Sequence, residues 1–158
     1  MITIDDLKDF DTWKKWKNGE VKLAQPDFTL YPEAFELKQL GFDEPSIAWY
    51  VSESYGLEYG EVIKSDLIRD GIVAPTYSQA FRFFRENYDI HYSIDRERSQ
   101  HDHKWGYNWS LYNYTGIFDE YLTSHPDAPA GEWVYETYEE AELACLRKMV
   151  EIIKEVNK

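Results

Sequence analysis

Cysteine is almost missing from this sequence. Cys145 stands alone among 158 residues, so neither an intrachain disulfide nor a cysteine-based zinc motif is open to the chain. Long apolar runs are missing too, and none approaches the ~20 residues that cross a bilayer. The opening Met1-Ile2-Thr3-Ile4-Asp5-Asp6 has neither the basic nor the apolar part of a secretory leader, so the cytoplasm is the expected compartment. No glycine-rich phosphate loop, Gly-x-Ser-x-Gly, His-Glu-x-x-His or dinucleotide fingerprint occurs, and no cofactor is expected. Positive charge is in deficit, with 17 Lys and Arg against 30 Asp and Glu and a net charge of -13. A field of that sign repels phosphate backbones and anionic lipid, which disfavours direct nucleic-acid binding and membrane adhesion. A basic protein partner, mimicry of nucleic acid, or solubility alone is compatible with it.

Aromatic side chains are abundant instead. They make up 17% of the chain, as 13 Tyr, 8 Phe and 6 Trp. Tyr and Trp join a large apolar body to a polar tip, so they suit cores and contact surfaces alike. A core of one-domain size cannot bury every ring with its polar atom satisfied, so some rings are expected outside.

Residues 1–31 read as an N-terminal helical arm and linker, with Leu7, Phe10 and Trp13 striping a helix over 5–17 and a linker over 21–31. Residues 32–158 read as a single domain. It opens with a short helix over 32–40, a strand over 46–51, a strand over 59–63 and a helical turn over 66–69.

A capping box, Thr76 with Gln79, then starts a helix whose Tyr77, Ala80, Phe81, Phe84 and Tyr88 share one face. Period two follows in Ile90, Tyr92 and Ile94, and again in Trp105, Tyr107, Trp109 and Leu111, joined by the polar stretch 96–104. That is a hairpin, with Trp105, Tyr107 and Trp109 expected in the core. Residues 116–131 read as a long loop and 133–135 as a third strand. A second capping box, Thr137 with Glu140, starts the last helix, with Tyr138, Ala141, Cys145, Met149, Ile152 and Val156 on one face. The expected fold class is α+β: an antiparallel sheet of three or more strands packed by two amphipathic helices in a C-terminal α-β-β-β-α unit.

Three segments carry a resemblance: 37–45 (LKQLGFDEP), 74–86 (APTYSQAFRFFRE) and 137–148 (TYEEAELACLRK). Together the set resembles small uncharacterised proteins of bacteriophages and prophages of gut bacteria. The resemblance implies a phage setting and a bacterial host cytoplasm, and supplies no activity or site residue. The element order is also similar to that of a double-stranded-RNA-binding domain. Here the last helix begins Glu139-Glu140-Ala141-Glu142, the wrong charge for phosphate, which counts against that activity.

Candidate site residues gather around the hairpin. Arg96, Arg98, His101, His103 and Lys104 form a locally basic window suited to a phosphate, a nucleotide or an acidic partner, or to pairing with the chain's own carboxylates. Tyr92, Tyr112 and Tyr114 are the tyrosines that register can turn outward as a binding face. His101, Asp102 and His103 form a short metal-ligand pattern that Asp95 or Glu97 would complete, and equally suit a solvated turn. Glu142, within the apolar arc of the last helix, reads as a buried general acid or base, or as an ion-pair partner of Arg82 or Arg85. Cys145 reads as a small core residue.

The leading expectation is a non-catalytic phage accessory protein that binds a host or phage macromolecule, a bacterial defence component among the candidates. A protein partner is expected and a homo-oligomer is compatible. A nucleotide-like small-ligand binder using residues 96–104, and a metal-dependent enzyme using His101, Asp102 and His103, are the alternatives.

Overall fold

A computed structural model describes residues 28–53, 56–63, 71–99, 103–115, 118–124 and 135–157, with the backbone alone for 114–115 and 118–124. The expected helices over 5–17 and 66–69 lie outside the described residues. The element order is α1 (Tyr31–Gln39), β1 (Ser46–Tyr50), β2 (Leu57–Ile63), β3 (Ile72–Val73), α2 (Tyr77–Tyr88), β4 (Ile90–Arg98), β5 (Trp105–Thr115), β6 (Phe118–Ser124) and α3 (Tyr138–Val156). The class is α+β, with two antiparallel sheets ordered β2-β1-β3 and β4-β5-β6.

Local chemistry fixes the helices. In α2 the Thr76 hydroxyl accepts from the Gln79 backbone N–H at 3.1 Å, and the Gln79 carboxamide accepts from the Thr76 N–H at 3.0 Å. In α3 Thr137 and Glu140 make the same reciprocal pair. Each satisfies donors that the first helical turn leaves open. The hairpin register runs from Ile90↔Asn113 to Arg98↔Trp105, so directly opposed residues share a face. Tyr92, Ile94, Trp109 and Leu111 face the helices, with Phe81 of α2 stacked on Tyr92 at 3.9 Å between ring centroids.

Beneath this sheet lies the larger core, in which Phe81 and Phe84 of α2 meet Cys145, Leu146, Met149 and Ile153 of α3. A smaller core of Phe28, Ala34, Ala48, Tyr50, Ile72 and Ala74 lies under the first sheet. Phe28 and Thr29, at the end of the stretch read as linker, are both buried, and the Thr29 N–H donates to the Pro75 carbonyl at 2.8 Å. The folded body therefore already includes Phe28.

Three expectations are corrected. The third strand of the C-terminal sheet is β6, inside the stretch read as a loop. Phe118-Asp119-Glu120-Tyr121-Leu122-Thr123-Ser124 lacks strict alternation and carries two acids, yet its backbone pairs with β5 from Ser110↔Ser124 to Thr115↔Phe118. The prolines follow the strand rather than interrupt it, and β5 supplies the free edge. Of the strand expected at 133–135, Tyr135 alone is described; it forms an isolated bridge to Tyr107.

The second correction concerns Trp105, which was expected in the core and is 53% exposed. An eleven-residue strand reaches about 36 Å, whereas helices of twelve and nineteen residues rise about 18 Å and 28 Å, so the hairpin overhangs its helices. At the two ends of the α3 face, Tyr138 is 38% exposed and Val156 77%. The third concerns Phe83, off the expected α2 stripe but buried edge-on against Phe42 with centroids 5.5 Å apart. The segment after α1 wraps this second side of α2, tied down where Gln79 donates to the Pro45 carbonyl and Tyr88 to that of Leu40.

A candidate interaction surface at the end of the hairpin

The turn between β4 and β5 closes where the Ser99 N–H donates to the Lys104 carbonyl at 2.9 Å. His103 takes a left-handed conformation, φ 60°, and its carbonyl accepts from Arg98 Nε at 3.0 Å. His103 and Lys104 are exposed in this turn, while His101 and Asp102 lie outside the described residues. Asp95 accepts from the Ser93 hydroxyl at 2.9 Å and Glu97 from the Asn108 carboxamide at 2.8 Å. Among the described residues, no group of three or more His, Cys, Asp or Glu is placed to hold a metal ion.

The candidate tyrosines divide between the two faces. Tyr92 faces the helices, and its hydroxyl is held above the usual phenol range by burial first and by the Glu142 charge second. Tyr112 lies on the outer face, stacked on His91 with centroids 5.9 Å apart. The backbone of Tyr114 lies in β5 opposite Asp119. Tyr92 and Tyr112 therefore do not share one surface.

Arginine and aromatic rings do share one. The Arg96 guanidinium sits 4.9 Å from the centroid of the Trp105 ring, a cation–π contact on an exposed indole. Arg98 is paired with Trp105 across the strands and Arg96 with Tyr107. On the other side of β5, the Tyr107 ring packs edge-on against Tyr138, with centroids 6.0 Å apart. Tyr107 also exchanges two backbone hydrogen bonds with Tyr135, whose hydroxyl accepts from the Trp109 indole at 3.3 Å. That bridge aims the chain into α3 and sets its first turn, Tyr138 and Glu139, beside the strip of rings.

The basic window pairs with no carboxylate of the described residues at its two arginines. Among the described residues, neither Arg96 nor Arg98 has a carboxylate within ion-pair distance. Arg82 goes to Glu44, not to Glu142. Burial raises the hydroxyl pKa values of Tyr77, Tyr92 and Tyr138 and that of the Cys145 thiol, and the charge of half-buried Glu142 adds to each of these shifts. Burial is the larger cause at Cys145 and holds the thiol protonated, which removes its nucleophilic form.

The sequence pointed to Arg96 and Arg98 through local charge, and missed Trp105 and Tyr138 as surface residues. Both keep the spacing of core positions, and each stands at the first residue of its element, at the margin of the core. Comparison with protein-family models, with curated proteins and with solved structures finds no match. No helix among the described residues is long and apolar enough to cross a membrane.

Proposed function

We propose that this chain is a non-catalytic binding protein that engages a macromolecular partner through Arg96, Arg98, Trp105, Tyr107 and Tyr138. The observation that carries the reading is Trp105, half exposed at the end of the hairpin beneath the Arg96 guanidinium. Trp, Tyr and Arg are the residues that most often anchor protein interfaces, Trp and Tyr because each buries a large area with few rotamers to freeze and Arg because its planar guanidinium both pairs and stacks. Arg96 and Arg98 are exposed, have no carboxylate within ion-pair distance among the described residues and stand beside exposed rings, an arrangement that favours an external partner. The resemblance of residues 37–45, 74–86 and 137–148 to phage and prophage proteins sets this binding in a bacterial host cytoplasm. Within that setting a component of bacterial defence is a fitting target.

The test is photo-crosslinking in bacterial cells, with a benzophenone amino acid placed at position 105 or 138. A discrete adduct that disappears in an Arg96→Glu/Arg98→Glu background is the expected result. Absence of any adduct at both positions overturns the proposal.

A further inference from the structure

We infer that the partner of this face is a second copy of the chain, docked about a two-fold axis through the Trp105–Tyr138 strip. The inference rests on the binding reading above and supplies the identity of the partner.

Register orders the surface from one side to the other. Arg96 and Arg98 stand on β4, Trp105 and Tyr107 follow on β5, and Glu136 and Glu139 come last, on the chain that Tyr135 leads into α3. Glu136 and Glu139 are exposed, and among the described residues neither has a cation within ion-pair distance. The strip of rings thus has two positive charges on one flank and two negative charges on the other, none of them in an ion pair among the described residues. A two-fold axis through the rings lays each flank of one copy on the opposite flank of the other. The patch is therefore complementary to itself, as an isologous interface requires. Both ion-pair sets and both Trp105 rings are then covered in one contact.

The net charge of -13 on each copy opposes association at long range. At physiological ionic strength the Debye length is about 8 Å, so charges beyond the contact are largely screened and the flanking residues decide the outcome.

Sedimentation velocity of the full chain at physiological ionic strength tests the inference with four proteins: wild type, Trp105→Ala, Arg96→Glu/Arg98→Glu and Glu136→Arg/Glu139→Arg. All the altered side chains are exposed, and circular dichroism verifies that each variant is folded. Wild type is expected to show a reversible monomer–dimer equilibrium. Each variant alone is expected to dissociate at concentrations about tenfold higher or more, the effect of losing one interface anchor. An equimolar mixture of the two charge-reversed variants is expected to restore the dimer, because each all-acidic surface then meets an all-basic one.

A wild-type protein that stays monomeric, or a dimer indifferent to both charge reversals, overturns the inference. The crosslinked adduct separates the two readings. A heterologous mass at position 105 with a monomeric wild type removes the second copy and keeps the binding face; no adduct and no dimer remove both.

Discussion

Glu33, in the first turn of α1, holds one carboxylate oxygen 2.7 Å from Nε of Arg147 on α3, across 114 residues of sequence. The two ends are unlike. The Glu33 side chain is 5% exposed and the Arg147 side chain 57%, so a buried carboxylate is neutralised by an arginine that reaches in from solvent. The second Glu33 oxygen and the nearby Thr29 hydroxyl are both buried, with no hydrogen-bond partner among the described residues. At this corner, where α1 meets α3, the buried carboxylate is thus held by the Arg147 contact.

Truncating that contact should cost more than its surface location suggests. Arg147→Ala leaves the carboxylate buried and unpaired, and an unfolding loss of about 1–3 kcal/mol is expected; water reaching the exposed guanidinium keeps the figure below that of a wholly buried pair. The neighbouring pair, Lys154 with Glu36, is partly exposed at both ends, and Lys154→Ala should change stability by less than about 0.5 kcal/mol. Urea denaturation of the two variants makes the comparison, and equal losses would contradict it.

The two tryptophans of β5 should behave oppositely, although their spacing in the sequence is equivalent. Trp109 is 4% exposed in the core, and Trp109→Ala should cost about 3–5 kcal/mol. Trp105 loses only its contact with Arg96, so Trp105→Ala should cost about 0.5–1 kcal/mol. Thermal denaturation read by far-ultraviolet circular dichroism distinguishes them.

Alkaline pH should destabilise the fold through its buried phenols. Burial, followed by the nearby Tyr59 and Glu33, pushes Tyr50 up to about 12, and burial raises Tyr77 in the same direction. An unfolded phenol releases its proton near pH ~10, whereas native Tyr50 keeps it until about 12. Deprotonation therefore favours the unfolded chain in that window. The contribution is complete below pH ~10 and is lost as pH rises through the folded value. Denaturant midpoints followed upward from neutral pH should fall over this range as phenolate absorbance rises. Tyr50→Phe should flatten the fall, at the loss of the 3.0 Å hydrogen bond to the Thr29 carbonyl.

Gly60 and Trp49 should be energetically coupled. A Cβ built on Gly60 would lie 2.6 Å from Cη2 of Trp49, so the indole lies across the bare glycine backbone on the neighbouring strand. Gly60→Ala should displace the ring and cost about 1 kcal/mol or more, and the cost should vanish in a Trp49→Ala background. A double-mutant cycle measures the difference, and strict additivity would refute the contact.

Features set by neighbouring residues were readable in advance. Thr76 with Gln79 and Thr137 with Glu140 announce two helices because a capping box is a contact over three residues. Ile90, Tyr92 and Ile94 announce a strand because side chains alternate at every residue. The basic window at 96–104 showed where Arg96 and Arg98 would stand. β6 was not readable, because its strand state comes from the free edge of β5 rather than from its own alternation. Nor was the burial of Phe83, which a segment about forty residues earlier decides.

From its own pattern the chain determined where its capped helices begin, which strand positions alternate and where a locally basic window falls, since each depends on residues only a few apart. The fold alone decided that Trp105 and Tyr138 stand outside while Trp109 lies inside, and that Glu33 meets Arg147. Those outcomes depend on how far a strand outreaches the helices laid upon it and on which distant helix lands beside α1. Such relations of length and packing in space leave no local signature in the order of residues.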